Sequence, residues 1–227
     1  MSNSDSDGGS ENQWDDRGDL AWNEFDWERY LREQDEAVHR YLRFYEAAKG
    51  AADRIDQVAE KMNWGQGDWS EEPDTEEFSA DDEDDSSGDD EDEVYTLHKN
   101  PIFIATKAIF LGLRRSWETV AAEPGKIPQP VAVALLASLH RGEEEAVQAI
   151  HALDFGDYAM AVSLFKRALS ALNASFAILN DETVARHRTM VAWREGALPS
   201  LFDLREVWLR VIAECRDELD RPVDDET

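Results

Sequence analysis

The chain has 227 residues, of which 51 are acidic and 23 basic, for a formal net charge of -28. A chain of this length makes one ordinary domain, or one small domain with appended segments. The charge repels phosphate backbones and anionic lipid, so we expect no direct nucleic-acid partner and no membrane partner.

Residues 1–22 are predicted to be a disordered acidic N-terminus. Their start, MSNSDSDGGSENQW, has neither the basic region nor the apolar core of a signal peptide. Apolar stretches elsewhere are too short, or too interrupted by charges, to span a bilayer. We therefore expect a soluble protein located in the cytoplasm.

Residues 23–62 are predicted to form one long amphipathic helix. Asn23 is a suitable N-cap, and Trp22 and Trp27 occupy the two positions of a hydrophobic staple. Gly50 is a weak point, but a continuous helix over Glu24–Met62 would be about 58 Å long. One face carries the heptad-like spacing of a helix that packs on another helix: Trp27, Leu31, Gln34, Val38, Tyr41, Tyr45, Ala48, Ala52, Ile55, Ala59 and Met62.

Residues 63–97 are predicted to be a disordered acidic linker. Residues 63–93 hold 16 acidic residues and no basic residue, and such a segment cannot bury enough apolar surface to offset its chain entropy. Trp64, Trp69 and Phe78 lie among these acids. The tryptophans either dock on a basic, apolar groove of a partner or fold back onto the chain's own helices.

Residues 98–220 are predicted to form a helical bundle, followed by a disordered tail at 221–227. Asn100 and Pro101 begin the second helix, which the prolines after position 123 must end. The third helix runs from about Val131 to Leu153, with an interruption expected at 140–145.

The fourth helix is predicted over 158–179, with Asp157 as its N-cap after Gly156. A fifth helical stretch, from Glu182 to about Leu219, is expected to bend or split near Gly196 and Pro199. Short connections favour antiparallel neighbours, and no segment alternates with the period of a strand. The predicted fold class is all-α, an up-and-down helical bundle.

Residues 143–173 resemble a single tetratricopeptide repeat, a pair of helices joined by a tight turn. The resemblance rests on residues of the turn and second helix: Gly156, Asp157, Tyr158, Ala161, Phe165, Ala168 and Leu169. In that family, small residues let the two helices approach closely, and stacked repeats form a peptide-binding groove. No second copy lies 34 residues away on either side, so the resemblance implies one close-packed helical hairpin.

Candidate catalytic and metal-binding residues are few. Arg32 and His39 have a spacing that resembles the arginine–histidine motif of HEPN-type ribonucleases, but the charge of the chain opposes an RNA path. Cys215 follows the apolar face of its helix and is expected to be a buried structural thiol. The histidines lack the ligand spacing of a metal site. We expect no enzyme activity, no cofactor and no metal.

The expected function is therefore non-catalytic protein–protein interaction, as an adaptor or scaffold, with a partner that is basic. The helix over 24–62 can dock on its own bundle, which we expect first, pair with a second copy to form a homo-oligomer, or capture another protein. The alternative functions are a nucleic-acid mimic that competes for a basic protein, and a helical ribonuclease. The predicted partner-binding residues are Trp27, Leu31, Val38, Tyr41, Tyr45, Ile55, Trp64, Trp69 and Phe78.

Overall fold

The computed structural model describes residues 22–64, 100–122 and 125–221. Within these ranges the chain forms helices and no strand, so the predicted all-α class is confirmed. Most of the segments predicted to be disordered, at 1–22, 63–97 and 221–227, lie outside the described residues. The helices are α1 (Glu24–Ala47), α2 (Arg54–Lys61), α3 (Pro101–Ala121), α4 (Gln129–Asp154), α5 (Tyr158–Leu179), α6 (Glu182–Ala185) and α7 (Arg188–Asp220).

Four long helices, α3, α4, α5 and α7, pack as a ring around one core. Each neighbouring pair is antiparallel. In α3 and α7, Trp208 Nε1 donates to Thr106 Oγ1 over 3.2 Å, whereas the earlier Trp193 Nε1 donates to the later Ser116 Oγ over 3.0 Å. Large side chains from all four helices fill the centre, where removal from water supplies the main stabilisation. Among the largest are Phe110, Trp117, Leu139, Ile150, Phe165, Leu172 and Trp208, each less than 2 % exposed.

The predicted caps position these helices. Asn100 Oδ1 accepts a hydrogen bond from the Phe103 backbone N–H at 3.0 Å, and Asp157 Oδ1 accepts from the Met160 N–H at 2.9 Å. Gly156 has a φ of +71°, a left-handed conformation that glycine adopts without steric cost. The tight turn at Gly156 brings α5 back along α4.

Helix α4 continues without a break through 140–145, so the expected interruption there is wrong. A Cβ atom on Gly142 would lie 3.7 Å from Ala171 Cβ and 3.5 Å from Phe110, which shows how closely α4 approaches α5 and α3. Glu143 is buried beside Gly142, and its carboxylate pairs with Lys107, at 2.8 Å, and with Arg114. These two ion pairs offset the desolvation cost of burying the Glu143 carboxylate, which would otherwise destabilise α4 in the core.

The single helix predicted over 24–62 is also wrong, because the chain breaks after Ala47. Gly50 has a φ of +103°, which ends the helical path, and α2 begins at Arg54 in a new direction. α1 packs against α3, while Arg54 pairs with Asp203 of α7. The break allows the two parts of the apolar stripe to reach different helices of the bundle.

The last helical stretch divides at Arg186–His187, not near Gly196 and Pro199 as predicted. α7 runs through both residues to Asp220. Pro199 lacks the N–H that a helix interior uses, but it lies on the exposed side of α7. Its neighbours Ala197 and Leu201 are buried, and their packing keeps α7 helical across the missing hydrogen bond.

Candidate partner-binding surface and interhelical cleft

The first turns of α1 extend beyond the helix on which α1 packs. α1 runs antiparallel to α3: His39 Nε2 lies 3.0 Å from a nitrogen of Arg115, and Leu42, later in α1, lies beside Gly112, earlier in α3. α3 ends at Ala121, six residues after Arg115, and six residues back from His39 is position 33. Residues 24–32 therefore have no α3 residue opposite them, and the first buried residue of α1 is Ala37.

A complete N-terminal cap holds this extension in helical form. Asn23 Oδ1 accepts from the backbone N–H groups of Phe25, at 2.8 Å, and Asp26, at 3.2 Å. Asp26 Oδ2 in turn accepts from the Asn23 N–H at 3.1 Å. This reciprocal capping box satisfies backbone donors that an uncapped first turn would leave to water.

Aromatic side chains cluster at the extension, which we call the aromatic end of α1. The rings of Trp22 and Trp27 lie 4.8 Å apart, which confirms the predicted staple pair, and Tyr30 is 5.5 Å from Trp22 and 5.9 Å from Trp27. The side chains of Phe25, Trp27 and Leu31 are 75 %, 53 % and 49 % exposed. The aromatic end of α1 comprises Trp22, Phe25, Trp27, Tyr30 and Leu31.

The surroundings of this cluster are acidic. Residues 22–36 contain six carboxylates and two arginines, a balance of -4. Arg29 pairs with Asp26 and Arg32 with Glu28, each at 2.9 Å, so both cations are engaged within the helix. The surface therefore combines exposed aromatic rings with excess negative charge.

Most of the predicted partner-binding residues are buried in the protein's own core, which corrects that prediction. Tyr41 is 0 % and Tyr45 is 4 % exposed, because both lie where α1 packs on the bundle. The same correction applies to Val38, Ile55 and Trp64, each 8 % exposed or less. None of these side chains is available to a partner in this conformation, whereas Trp27 and Leu31 are accessible.

The aromatic residues of the acidic linker have different outcomes. Trp64 folds back, and its ring stacks on that of Tyr41 with the centroids 5.5 Å apart. Trp69 and Phe78 lie outside the described residues. Of the two alternatives left open for the tryptophans, the structure assigns Trp64 to the chain's own helices.

A cleft of about 290 Å³ lies between α1, α3 and α7. Apolar residues of α3, including Ile109 and Leu113, line it together with Trp193 of α7. Small residues on α7 also border it, among them Gly196, where an added Cβ atom would meet nothing within 4 Å. The polar and charged side chains around the cleft are Tyr45, Glu46, Lys49, Arg54, Ser116 and Ser200.

Arg54 and Asp203 form one of the polar contacts that join α2 to α7. Arg54 Nε donates to Asp203 Oδ2, and its guanidinium carbon lies 4.2 Å from the centroid of the Tyr45 ring. The Tyr45 hydroxyl donates to the same carboxylate oxygen at 2.6 Å. Burial, followed by this hydrogen bond to Asp203, raises the pKa of Tyr45 well above its usual value.

The residues considered for catalysis do not assemble into a reactive group. Arg32 Nε binds Glu28, while His39 Nδ1 lies 2.7 Å from the Asp35 carbonyl oxygen. Cys215 is buried, and that burial raises the pKa of its thiol to about 11. In the described ranges, no three His, Cys, Asp or Glu residues are grouped so that they could hold a metal ion.

The comparisons with known proteins give no family. No protein-family model matches the chain, and no curated protein or solved structure matches it. Within the described residues, the helix Tyr158–Leu179 is long and apolar enough to cross a membrane by length and composition. Its buried face, which includes Ala161, Phe165 and Leu172, packs against α4 and α7.

Sequence reasoning missed Phe25 and the whole cleft. Phe25 lies off the heptad-like stripe, but a large apolar residue among the acids of a capped first turn is a usable signal. The cleft leaves no such signal, because its walls come from residues more than 140 positions apart in the chain, such as Lys49 and Gly196. The sequence predicts a bend or break near Gly196. In the structure this residue lies inside α7, and its missing side chain leaves space on the side of the helix that borders the cleft.

Proposed function

We propose that this protein is a non-catalytic interaction protein, an adaptor or scaffold, that binds a basic protein partner through the aromatic end of α1. One observation carries the proposal: a capped helical extension presents Phe25, Trp27 and Leu31 to solvent beyond the bundle. Exposed aromatic residues in one patch are typical of interaction sites. A preformed helix also loses little conformational entropy when it binds.

The charge of the extension indicates the chemistry of the partner. An amphipathic helix binds by laying its apolar side chains into a hydrophobic groove. The balance of -4 over residues 22–36 favours a groove whose rim carries lysine or arginine, because complementary charge accelerates association and excludes other partners. The partner is therefore expected to be a protein with a basic, apolar groove one helix wide.

A pair of matched double variants tests this surface. Phe25→Ala with Trp27→Ala removes the two most exposed rings of the aromatic end of α1, and alanine preserves the helix. The control, Phe155→Ala with Met160→Ala, removes side chains of similar exposure, 88 % and 52 %, at the α4–α5 turn. We expect the first variant to reduce retention of a protein from cell extract at least about tenfold, because buried aromatic residues dominate binding energies.

The control variant should retain that protein at the level of the unmodified chain. Equal retention by both double variants would show that the aromatic end of α1 is not the binding surface. Circular dichroism should show the same helix content for the three proteins, so that a loss of binding is not a loss of fold.

The second candidate function is a nucleic-acid mimic, and it rests on the 16 acidic residues of 63–93. Its binding would fall steeply with added salt, because many exposed charges would contribute. Binding through the aromatic end of α1 should fall only moderately, since apolar contact is insensitive to screening. Retention measured over a salt series, with and without the Phe25→Ala and Trp27→Ala changes, separates the two functions.

A further inference from the structure

We propose that the cleft between α1, α3 and α7 binds a small organic monocarboxylate with an aromatic or branched aliphatic body. Its volume of about 290 Å³ lies at the lower end of the range of ligand-binding pockets. A molecule of roughly ten non-hydrogen atoms fits this space. The inference is independent of the function proposed for the aromatic end of α1.

The floor and walls of the cleft suit an apolar body. Leu42, Ile109 and Leu113 line it and are each 5 % exposed or less, and Trp193 is 7 % exposed. Apolar and aromatic linings of this kind supply most of the binding energy of small ligands. The Trp193 ring is held in place, since its Nε1 donates to Ser116 Oγ at 3.0 Å and its ring contacts Trp117 at 4.8 Å.

The packing of the helices keeps the cleft open. Apart from Trp193, the residues of α7 that border the cleft are too small to fill it, and an added Cβ atom on Gly196 would find open space. At one end, the Tyr45 hydroxyl bonded to Asp203 holds α1 to α7. Along α3, Leu42 already lies 3.1 Å from the position of a Cβ atom on Gly112, so α1 cannot approach further and close the gap.

Arg54 supplies the group that favours a carboxylate. Its side chain lines the cleft and is 7 % exposed. Nε is used by Asp203, whereas Nη2 is buried and has no hydrogen-bond partner among the described residues. A buried donor without a partner has lost its bonds to water. A small movement of the Arg54 side chain toward the cleft would let a carboxylate, the acceptor whose geometry matches a guanidinium best, accept from Nη2.

The remaining charges restrict the ligand to a single negative charge. Lys49 adds a second cation at the cleft, but Glu46 lies there as well and both side chains are exposed. Asp203 already balances the charge of Arg54. With the chain at -28, a polyanion would be repelled, so one carboxylate attached to an apolar body matches this site.

The experiment titrates phenylacetate into the full chain and follows the indole N–H resonance of Trp193 by NMR. Trp193→Phe identifies that resonance. We expect saturable binding with a Kd on the order of 1 mM, a usual value for a ligand of this size. Phenylacetamide, which has the same shape without the charge, should bind at least about fivefold more weakly.

Two leucine variants on α7 locate the site. Gly196→Leu places a side chain in the open space of the cleft and should weaken phenylacetate binding at least about tenfold while helix content is unchanged. Ala213→Leu, on the exposed side of the same helix, should leave the affinity as it is. Absence of a saturable shift, equal binding of phenylacetamide, or unchanged binding by Gly196→Leu would each overturn the proposal.

Discussion

Tyr41 and Tyr45 lie one turn apart on α1, with their rings stacked at 6.0 Å, yet their hydroxyl groups have different environments. Tyr45 donates to Asp203. The Tyr41 hydroxyl is buried and has no hydrogen-bond partner among the described residues. Burial, followed by repulsion from the Asp203 carboxylate, raises the pKa of Tyr41 well above its usual value of 10.0.

This difference predicts opposite effects of two similar substitutions. Tyr41→Phe should leave the free energy of unfolding at pH 7 unchanged or raise it by up to about 1 kcal/mol, because it removes a buried polar group that forms no bond. Tyr45→Phe should lower it by about 1 kcal/mol, because Asp203 loses a donor. Urea denaturation followed by circular dichroism measures both, and a loss above about 1 kcal/mol for Tyr41→Phe would contradict the structure.

The raised pKa of Tyr41 also sets a pH dependence. The folded state keeps the hydroxyl proton above pH 10.0, while the unfolded state releases it, so this contribution to stability is complete below pH 10.0 and falls as the pH rises beyond it. At pH 11 the unmodified chain should have lost about 1.4 kcal/mol more than Tyr41→Phe. Parallel stability curves for the two proteins from pH 8 to pH 11 would contradict this assignment.

At the scale of the helices, two glycines with opposite roles decide the course of the chain. Gly50, with its φ of +103°, separates α1 from α2. Gly196 lies within α7, where the backbone is helical, and alanine has a higher helix propensity than glycine. Heptad-like spacing continues across Gly50, which is why the sequence pattern predicted one helix. The spacing of side chains shows which residues share one face of a helix, but not whether that face packs against one partner helix or two.

The same substitution at these two glycines should therefore change stability in opposite directions. Gly50→Ala should lower the free energy of unfolding by about 1–2 kcal/mol, because an L side chain is strained in the left-handed region. Gly196→Ala should raise it by about 0.5–1 kcal/mol through helix propensity. Both values come from urea denaturation. A stabilising Gly50→Ala is the result expected of a continuous helix and would contradict the break.

For the whole molecule, the structure joins two parts of the chain that are separated in sequence by residues 65–99. α1 packs on α3, and α2 pairs with α7 through Arg54 with Asp203 and Asp56 with Arg210, the latter at 2.5 Å. The sequence predicted that the N-terminal helix would dock on its own bundle before it pairs with another molecule. The burial of Val38, Tyr41 and Tyr45 within one chain shows α1 docked on its own bundle.

This arrangement predicts that covalent continuity between α2 and α3 is dispensable for the folded state. With a specific protease site inserted after Asp85 and cut, the fragments should elute together on size exclusion with the mass of the intact chain. Contacts of α1 and α2 with α3 and α7 should hold them, although the loss of tethering lowers their effective concentration. Separate elution without denaturant would contradict the packing, and separation in urea is the expected control.

The sequence by itself determined the helical class, most helix boundaries and the caps. These depend on neighbouring residues, as Asn100 with Phe103 and Asp157 with Met160 show, because capping and periodicity act within a turn or two of the chain. The partner-binding residues predicted from the sequence include Trp27 and Leu31, which are exposed at the aromatic end of α1. The buried residues of the same stripe have the same spacing, so periodicity could not separate the two groups.

Only the tertiary structure decided which part of that stripe is covered. α3 ends before it reaches residues 24–32, and this end, not the pattern in α1, leaves Phe25 and Trp27 exposed. The cleft has the same origin, because Arg54, Leu113 and Gly196 become neighbours only when three helices pack together. Burial and cavities depend on contacts between residues distant in the chain, and a local pattern carries no information about them.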